Sequence, residues 1–282
     1  MTLLQDPLTN LETARMDLNI AGVDATIDAP LPALAALDRI LAPVSRNWQS
    51  RSEPMRIHIR HDDDVWDISE ALTRNRKVLG RESTVPQVAG AAASLLVAAV
   101  AKRAGLTTCR ASVVEWQGNA FAMVGDDWES AITLTAHLHT RGWRILSADH
   151  ALIDHQGMTV TSFKKLLYTP SSCIDSLPAK YRRAIEASPW YSTPHGIAFY
   201  AVDPALIGGP SPWAEKANLR GLLKVDGHIA EYPSLETIAD FEACGALRSN
   251  NLQRAGVDVA MLTIGGLSET CDLLERWFAR FA

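Results

Sequence analysis

The chain has 282 residues, of which 47% are hydrophobic and 21% are charged. This balance is typical of a soluble globular protein, with enough chain for one large domain or for a core and a smaller lobe, and it excludes an intrinsically disordered protein. The formal net charge of −5 argues against a nucleic-acid surface, which requires clustered Lys and Arg to neutralise phosphates. Small molecules, peptides or proteins are therefore the expected partners.

The sequence indicates neither export nor a membrane. The first residues include acids and lack a long apolar stretch after a basic start, so neither a signal peptide nor a transit peptide is expected. The most apolar run, Val88–Ala101, is too short to cross a bilayer and predicts a buried helix. The four cysteines lie far apart without metal-binding spacing, so reduced thiols and a cytoplasmic location are expected.

Residues 1–82 predict a small α+β lobe. Alternating apolar and polar residues, as in Met55–Arg60, have the period of two that is typical of half-exposed strands. The run Asp62-Asp63-Asp64 has two interpretations, a metal site and a solvated hairpin turn. The turn is favoured, because no further ligand follows at EF-hand spacing.

Residues 83–282 predict an α/β core that starts with a capped helix. Ser83-Thr84-Val85-Pro86 combines a hydroxyl cap with an early proline, and Gly105 ends the helix. Two strands joined by a tight turn follow, and the second strand is continuously apolar, as buried strands are. The predicted segments are strand Arg110–Trp116, turn Gln117-Gly118-Asn119 and strand Ala120–Val124.

A glycine turn, a helix and a further strand complete a βαβ unit. Gly125 stops the second strand, apolar residues at helical spacing run from Ser130 to Gly142, and Trp143–Asp149 predicts a buried strand that ends in an acid. Ligands of such units lie beyond the carboxyl ends of the strands. The site is therefore expected around Gly125 and Asp149.

The turn after Gly125 departs from a working phosphate-binding loop. Such a loop, G-x-x-x-x-G-K-S/T, brings backbone N–H groups and a Lys to the phosphates and a hydroxyl to Mg²⁺. Here Ser130, Ala131 and Ile132 stand at the second glycine, the lysine and the hydroxyl. The turn also contains the three acids Asp126, Asp127 and Glu129. Because their charge repels a triphosphate, ATP and Mg²⁺ are not expected to bind in the ordinary P-loop manner.

The segment Arg110–Asp154 resembles the core of the HPr kinase family of P-loop proteins, which includes small relatives that phosphorylate lasso-peptide precursors. The length of the helix and the segment Gly142-Trp143-Arg144 correspond to that family without a gap. Arg110 stands where the family has a His, and Ala148 where it has the first of two aspartates. The resemblance implies an HPr kinase-like P-loop core with a central sheet, a homo-oligomer, and Asp149 as the general base of a kinase.

The acids of the altered loop leave two interpretations open. As a cap, they satisfy the free N–H groups and the positive end of the helix, and the loop is purely structural. As a pocket, they combine with Asp149, His150, Asp154 and His155 into a cleft suited to an amine, a guanidinium or a metal ion. Trp128, in the middle of the loop, either plugs the former nucleotide site or stacks on a planar substrate.

The candidate residues form a catalytic set and a ligand-binding set. The catalytic set comprises Asp149, His150, Asp154, Glu115 and Arg110. The ligand-binding set comprises Gly125, Asp126, Asp127, Trp128, Glu129 and Ser130. Arg110 and Glu115 either face the cleft or form an ion pair with each other. Three further polar segments are expected to be structural, as a turn or as solvated helix faces. They are His195-Gly196, Lys164-Lys165 and Arg182-Arg183.

Two classes of function follow from these patterns. The first is a degenerate HPr kinase-like protein, which is either a pseudokinase-type accessory that binds a peptide or protein, or an enzyme with a repurposed pocket in a biosynthetic pathway. The alternative is an ATP-dependent kinase that acts on a Ser residue, a peptide or a small molecule, and that uses Asp149 with atypical phosphate contacts.

Overall fold

The structure is a computed structural model that shows a mixed α/β protein. It describes residues 12–44, 46, 53–62, 65–71, 75–80, 83–125, 127–156, 158–188, 190–192, 198–207, 211–238 and 249–281. Within these residues the strands form three sheets. The chain divides into two compact units, which comprise Met1–Ala104 with Ser192–Gly196 and Gly105–Tyr191 with Ile197–Ala282.

The first unit is a five-stranded sheet with two helices. Its elements are β1 (Thr13–Ile20), β2 (Val23–Pro30), α1 (Leu31–Ile40), β3 (Met55–Asp62), β4 (Val65–Glu70), β5 (Arg76–Leu79) and α2 (Val85–Ala104). The strands lie side by side in sequence order, and all neighbours are antiparallel except β2 and β3. Strands β3 and β4 flank the predicted acidic turn, of which Asp63 and Asp64 lie outside the described residues.

Helix α2 belongs to the first unit, so the boundary falls after Ala104 and not after residue 82 as predicted. The helix packs on α1 and on the sheet of that unit, and it buries Val88, Leu96 and Val100 there. By its 20 residues and its composition α2 could cross a membrane, but 56% of its most apolar window is buried inside the fold. Buried helices of soluble proteins can have the same length and composition. The described part of the chain resembles a soluble globular domain.

The second unit is built on a nine-stranded sheet. The elements up to residue 170 are β6 (Thr107–Arg110), β7 (Ser112–Trp116), β8 (Asn119–Val124), α3 (Trp128–Thr140), β9 (Arg144–Ser147), β10 (His150–Asp154), β11 (Thr159–Thr161) and β12 (Leu167–Pro170). The later elements are α4 (Ala179–Glu186), β13 (Trp190–Ser192), β14 (Ala198–Val202), β15 (Lys216–Ile229), β16 (Ser234–Thr237), α5 (Ser249–Arg254), β17 (Asp258–Ile264) and α6 (Leu267–Phe278). The large sheet has the order β6-β10-β11-β15-β8-β7-β9, with β17 between β15 and β16, and the remaining strands form a sheet of order β12-β14-β13.

The predicted hairpin and crossover are present in the second unit. Strands β7 and β8 are antiparallel, and Gln117 and Gly118 between them have φ values of 50° and 85°, as a tight hairpin turn requires. Strand β8, helix α3 and strand β9 follow in the predicted order. The predicted strand Arg110–Trp116 is interrupted at Ala111, because the chain changes there from pairing with β10 to pairing with β8 and β9.

Two apolar cores lie on the two faces of the large sheet. Side chains alternate along β8, so that Ala120 and Ala122 face one core while Phe121 and Met123 face the other. Helices α3 and α6 cover the second core. There the ring of Phe121 stacks on that of Phe278 at a centroid distance of 3.7 Å.

Other residues that the sequence singles out can be compared with their positions in the structure. Arg182 and Arg183 lie on α4 and are exposed, as expected. Cys109, Cys173 and Cys271 are free and buried, whereas Cys244 lies outside the described residues. His195-Gly196 also lies outside them.

Truncation of Phe278 tests the second core. Phe278 is 2% exposed and contacts the rings of Phe121, Trp143 and Trp277. Phe278→Ala is expected to lower the free energy of unfolding by about 3–5 kcal/mol, measured by urea denaturation, because it removes a large buried side chain and leaves a cavity. Arg276→Ala, at an exposed position of the same helix, is expected to stay within about 0.5 kcal/mol of the unchanged chain. Equal losses for the two variants would contradict this packing.

Candidate functional site

Four parallel strands of the second unit end at the same edge of the large sheet. Strand β15 is parallel to β8 and to β17, and β9 has the same direction because both β8 and β9 are antiparallel to β7. We call the residues that follow β8, β9 and β17 the carboxyl edge; they are Gly125, Ala148, Asp149, His150, Gly265 and Gly266. Helices α3 and α6 both begin at this edge. The predicted positions Gly125 and Asp149 thus lie at one edge of the sheet.

Gly125 is required for strand packing. Its φ is 138°, a conformation that residues with a side chain rarely adopt. A Cβ at this position would lie 2.8 Å from the carbonyl oxygen of Val225 on the neighbouring strand β15. The glycine that resembles the first residue of a phosphate-binding loop therefore allows β8 and β15 to approach each other.

The first turn of α3 is satisfied by side chains of the chain itself. The carboxylate of Asp127 caps the helix, since its Oδ1 accepts a hydrogen bond from the backbone N–H of Ser130 at 3.1 Å. Glu129 Oε2 accepts hydrogen bonds from Ser172 Oγ at 2.9 Å and from Cys173 Sγ at 3.5 Å. Burial and the nearby Glu129 raise the pKa of the Cys173 thiol, although hydrogen bonds from Thr133 and Ser172 oppose that shift. Asp126 lies outside the described residues.

Trp128 packs against the second sheet of this unit. Its ring lies 5.5 Å from that of Phe199 on β14, at an interplanar angle of 33°. The contact holds the indole beside the helix start, where the sequence offered either a plug or a stacking platform. The observed partner is a side chain of the same unit, which favours the plug.

Helix α6 also begins beside a carboxylate, although no side-chain hydrogen bond caps its N-terminus. The backbone N–H of Gly265 donates to Thr270 Oγ1 at 3.2 Å. The carboxylate of Glu269 lies so close to Gly266 that a Cβ there would overlap it. Acidic side chains therefore lie against the positive ends of both helices that begin at the carboxyl edge.

Asp149 is held between two basic side chains. Its Oδ2 lies 2.5 Å from Lys165 Nζ, and its Oδ1 lies 2.9 Å from His150 Nδ1. The Lys165 side chain is only 5% exposed, and its ammonium group lies over the ring of Tyr168, 4.7 Å from the centroid. Burial would raise the pKa of Asp149, but Lys165 and His150 together outweigh it and hold the pKa well below its usual range.

Arg110 and His150 are neighbours across two strands. They are paired positions of β6 and β10, so their side chains emerge on the same face of the sheet. Arg110 is exposed, whereas the side chain of His150 is 23% exposed and has its Nδ1 buried against Asp149. No hydrogen bond joins His150 Nε2 to any residue that the structure describes. A cation and an imidazole nitrogen therefore lie beside Asp149 at the surface.

Glu115 and Asp154 lie away from the carboxyl edge. Glu115 pairs with Arg144 at the opposite end of β7, at 2.6 Å, and accepts a hydrogen bond from the N–H of Gly118 in the hairpin turn. It does not pair with Arg110. Asp154 ends β10 on the far side from His150, and its Oδ1 accepts a hydrogen bond from the N–H of Gln156. Asp154 is four steps along the strand from His150, at a rise of about 3.3 Å per step. The structure therefore brings together Asp149, His150 and Arg110 from the catalytic set.

The sequence interpretation missed Lys165. Lys164-Lys165 was expected on a solvated helix face, but the pair lies in an irregular segment between β11 and β12. Lys164 pairs with Glu215, whereas Lys165 is 4% exposed. The neighbours of Lys165 gave no alternating signal, because Leu166 and Leu167 are both buried and follow each other directly.

Removal of the cap tests the role of Asp127. Asp127→Ala is expected to lower the free energy of unfolding by about 1 kcal/mol, because the N–H of Ser130 loses its acceptor. Asp127→Asn keeps a capping oxygen and is expected to differ from the unchanged chain by a few tenths of a kcal/mol at most. Chemical denaturation of both variants measures the effect, and a large loss in the Asn variant would show that the negative charge does more than cap.

A double-mutant cycle tests the pair of Asp149 and Lys165. At pH 7, Lys165→Met and Asp149→Asn are each expected to lower the free energy of unfolding by roughly 3 kcal/mol, because each leaves a largely buried group without its partner. The double variant is expected to lose less than the sum of the two. Lys164→Met is the matched control, since the partner of Lys164, Glu215, is 80% exposed.

The acid dependence of the same cycle has a definite sign. The pKa of Asp149 is lower in the folded chain than in the unfolded one, where it is about 3.9. The stabilisation by the carboxylate is therefore complete above about pH 4 and is lost as the pH falls through the folded-state value. The measured coupling between the two residues should shrink when the denaturation is repeated in acid; a coupling that grows there would contradict the ion pair.

Comparison with solved structures finds a distant structural likeness. Neither a family model nor a curated protein matches the chain. Among solved structures, it is similar to the HPr(Ser) kinase/phosphatase from Coxiella burnetii, with a TM-score of 0.33 and 12% sequence identity. The likeness covers 62% of this chain and 99% of that one. A similarity at this level establishes neither the family nor the activity of the chain.

Proposed function

We propose that this chain is a degenerate HPr kinase-like protein that works as a pseudokinase-type accessory. In this proposal the carboxyl edge binds a peptide, a protein or a small molecule and does not hold ATP and Mg²⁺ in the P-loop manner. A cytoplasmic location and a homo-oligomer belong to the same proposal. The observation that carries it is the engagement of Asp149, the residue in the position of a kinase base, by Lys165 and His150.

The helix start supports the loss of phosphate binding. A P-loop offers free N–H groups and a lysine to the phosphates, whereas the N–H of Ser130 already donates to Asp127. Glu129 places a further negative charge in the same turn and is held there by Ser172 and Cys173. An incoming triphosphate has to displace these bonds and overcome repulsion by both carboxylates.

The state of Asp149 supports a binding role over catalysis. A general base must accept a proton near the working pH, and a carboxylate whose pKa is held well below its usual range is a weak proton acceptor. Lys165 also has to move away before a hydroxyl group can reach Oδ2. Asp149 is therefore better suited to orient His150 and to neutralise Lys165.

The partner groups expected at the carboxyl edge are acidic. Each described carboxylate of the predicted cationic pocket bonds to another group of the chain. These carboxylates are Asp127, Glu129, Asp149 and Asp154. The groups that remain available are the guanidinium of Arg110 and the Nε2 of His150. These two suit a carboxylate or a phosphate of a ligand rather than an amine.

One observation favours the alternative of an active kinase. Lys165 brings a cation to Asp149 beyond the end of β9, and it could bind a phosphate in place of the lysine that the altered loop lacks. In that case Asp149 is the base, and nucleotide binding separates the pair.

Nucleotide titration distinguishes the two functions. At about 1 mM Mg-ATP, the upper end of the usual range for enzyme substrates, we expect no rise in the melting temperature of the unchanged chain. A P-loop kinase of known ATP affinity, measured in parallel, controls for the sensitivity of the assay. A clear rise that Lys165→Met abolishes and Lys164→Met retains would contradict the proposal and identify the kinase.

A further inference from the structure

Strand β5 is a free edge of the first unit's sheet. Within the part of the chain that the structure describes, β4 is its only strand neighbour. Arg76, Lys77 and Val78 are exposed, with Val78 at 55%. Such an edge can pair with a further strand, and proteins usually cover or guard it.

The backbone of β5 presents hydrogen-bonding groups outward at Arg76 and Val78. The N–H of Glu70 donates to the carbonyl of Asn75 at 3.1 Å, so these two residues form a hydrogen-bonded pair. In an antiparallel ladder such pairs alternate, which places Lys77 and Leu79 in the next bonded pairs with β4. The N–H and C=O groups of Arg76 and Val78 therefore point away from β4.

A groove runs between this edge and helix α2. It has a volume of about 420 Å³ and is lined by Lys77, Leu79, Ser83, Gln87, Gly90, Ala91 and Ser94. Apart from Gln87, the helix contributes only small residues to the groove, and Ser94 turns its hydroxyl back to the carbonyl of Gly90 at 3.0 Å. An added strand thus finds room for the side chains on one of its faces.

The charge around the edge is positive. Residues 72–81 contain four basic residues and no acid, in a chain whose net charge is −5. Arg76 pairs with Asp67, but Lys77 has no ion pair among the described residues. A second copy of β5 would bring Arg76 and Lys77 against the same two cations, whereas an acidic segment would bring opposite charge to Lys77.

We propose that β5 binds an acidic, extended peptide segment of another protein as a sixth strand. The backbone of the segment pairs with Arg76 and Val78, alternate side chains enter the groove beside α2, and its acids lie near Lys77. This docking surface lies in the first unit and does not depend on the function proposed for the carboxyl edge.

The experiment uses fluorescein-labelled peptides of eight residues and the full-length chain. The acidic probe alternates Val and Glu, the basic probe alternates Val and Lys, and a third probe is the acidic one with Pro at two central positions. Fluorescence anisotropy is expected to show binding of the acidic probe only. The affinity of each control probe is expected to be at least about tenfold lower, because the basic probe is repelled and prolines cannot donate the hydrogen bonds of the ladder.

Variants of the chain test the contacts separately. Val78→Pro removes an outward N–H without breaking the ladder to β4, and it is expected to lower the affinity for the acidic probe about tenfold. Val78→Thr keeps that N–H and is the matched control, with affinity near that of the unchanged chain. Lys77→Glu is expected to lower the affinity for the acidic probe by at least about tenfold and to reduce the dependence of that affinity on salt concentration. Circular dichroism and thermal melting confirm that each variant is folded.

Three results would overturn the inference. If the acidic probe does not bind, the basic residues of β5 serve to prevent pairing of this edge with another strand. Equal binding by the Val78→Pro and Val78→Thr variants would show that the backbone of β5 takes no part. Dimerisation of the chain that Val78→Pro abolishes, measured by light scattering, would assign the edge to a second copy. Each readout is independent of nucleotide binding, so failure here is distinct from failure of the proposed function.

Discussion

A buried ammonium group needs a counter-charge, and this constraint organises the carboxyl edge. Lys165 is almost fully buried and finds its counter-charge in Asp149, at the point where β9 ends. A buried pair contributes little net stability, because desolvation of both ions offsets most of their attraction. The pair instead holds two segments in place, because separating the partners would leave each charge uncompensated in apolar surroundings. The pair thereby fixes the chain after β9 relative to the segment between β11 and β12.

The two helices that begin at this edge also have a carboxylate of the chain at their starts, and in α3 that carboxylate caps the helix. Helix N-termini attract anions because their first N–H groups and their dipoles are unsatisfied. At this edge Asp127 and Glu269 come from the chain itself and lie against the starts of α3 and α6. The geometry of a crossover with a glycine turn is retained, while the groups that make such a turn a phosphate site are already engaged. Fold and function are thus separable here, because the same backbone path accommodates either a bound anion or an internal carboxylate.

The two units use their polar groups differently. At the carboxyl edge of the second unit the described carboxylates bond to the chain, whereas the guanidinium of Arg110 and the Nε2 of His150 have no hydrogen-bond partner among the residues that the structure describes. In the first unit, strand β5 turns backbone groups outward together with Lys77, which forms no ion pair with the described residues. An edge strand has no internal way to satisfy half of its backbone groups, because the sheet ends there. Water or a partner must supply those bonds.

Local pattern alone predicted the elements whose signal is confined to neighbouring residues. The hairpin around Gln117 and Gly118, the glycine turn at Gly125 and the capped helix that follows depend on turn geometry and apolar periodicity, and each is present near the predicted position. The extent of the first unit was not predictable in this way. Helix α2 is apolar on most of its surface, and such a helix fits either of two cores equally well until its neighbours are known.

The α/β class and the departure of the loop from a phosphate-binding pattern could be read from neighbouring residues alone, because both depend on local order along the chain. The partners of the charged residues became clear only in the folded chain. Glu115 joined Arg144, Asp149 joined Lys165, and Asp154 remained in its own turn. The reason is that an ion pair depends on distances between strands far apart in the chain, and a charged side chain looks the same in sequence whether it faces water or a buried partner.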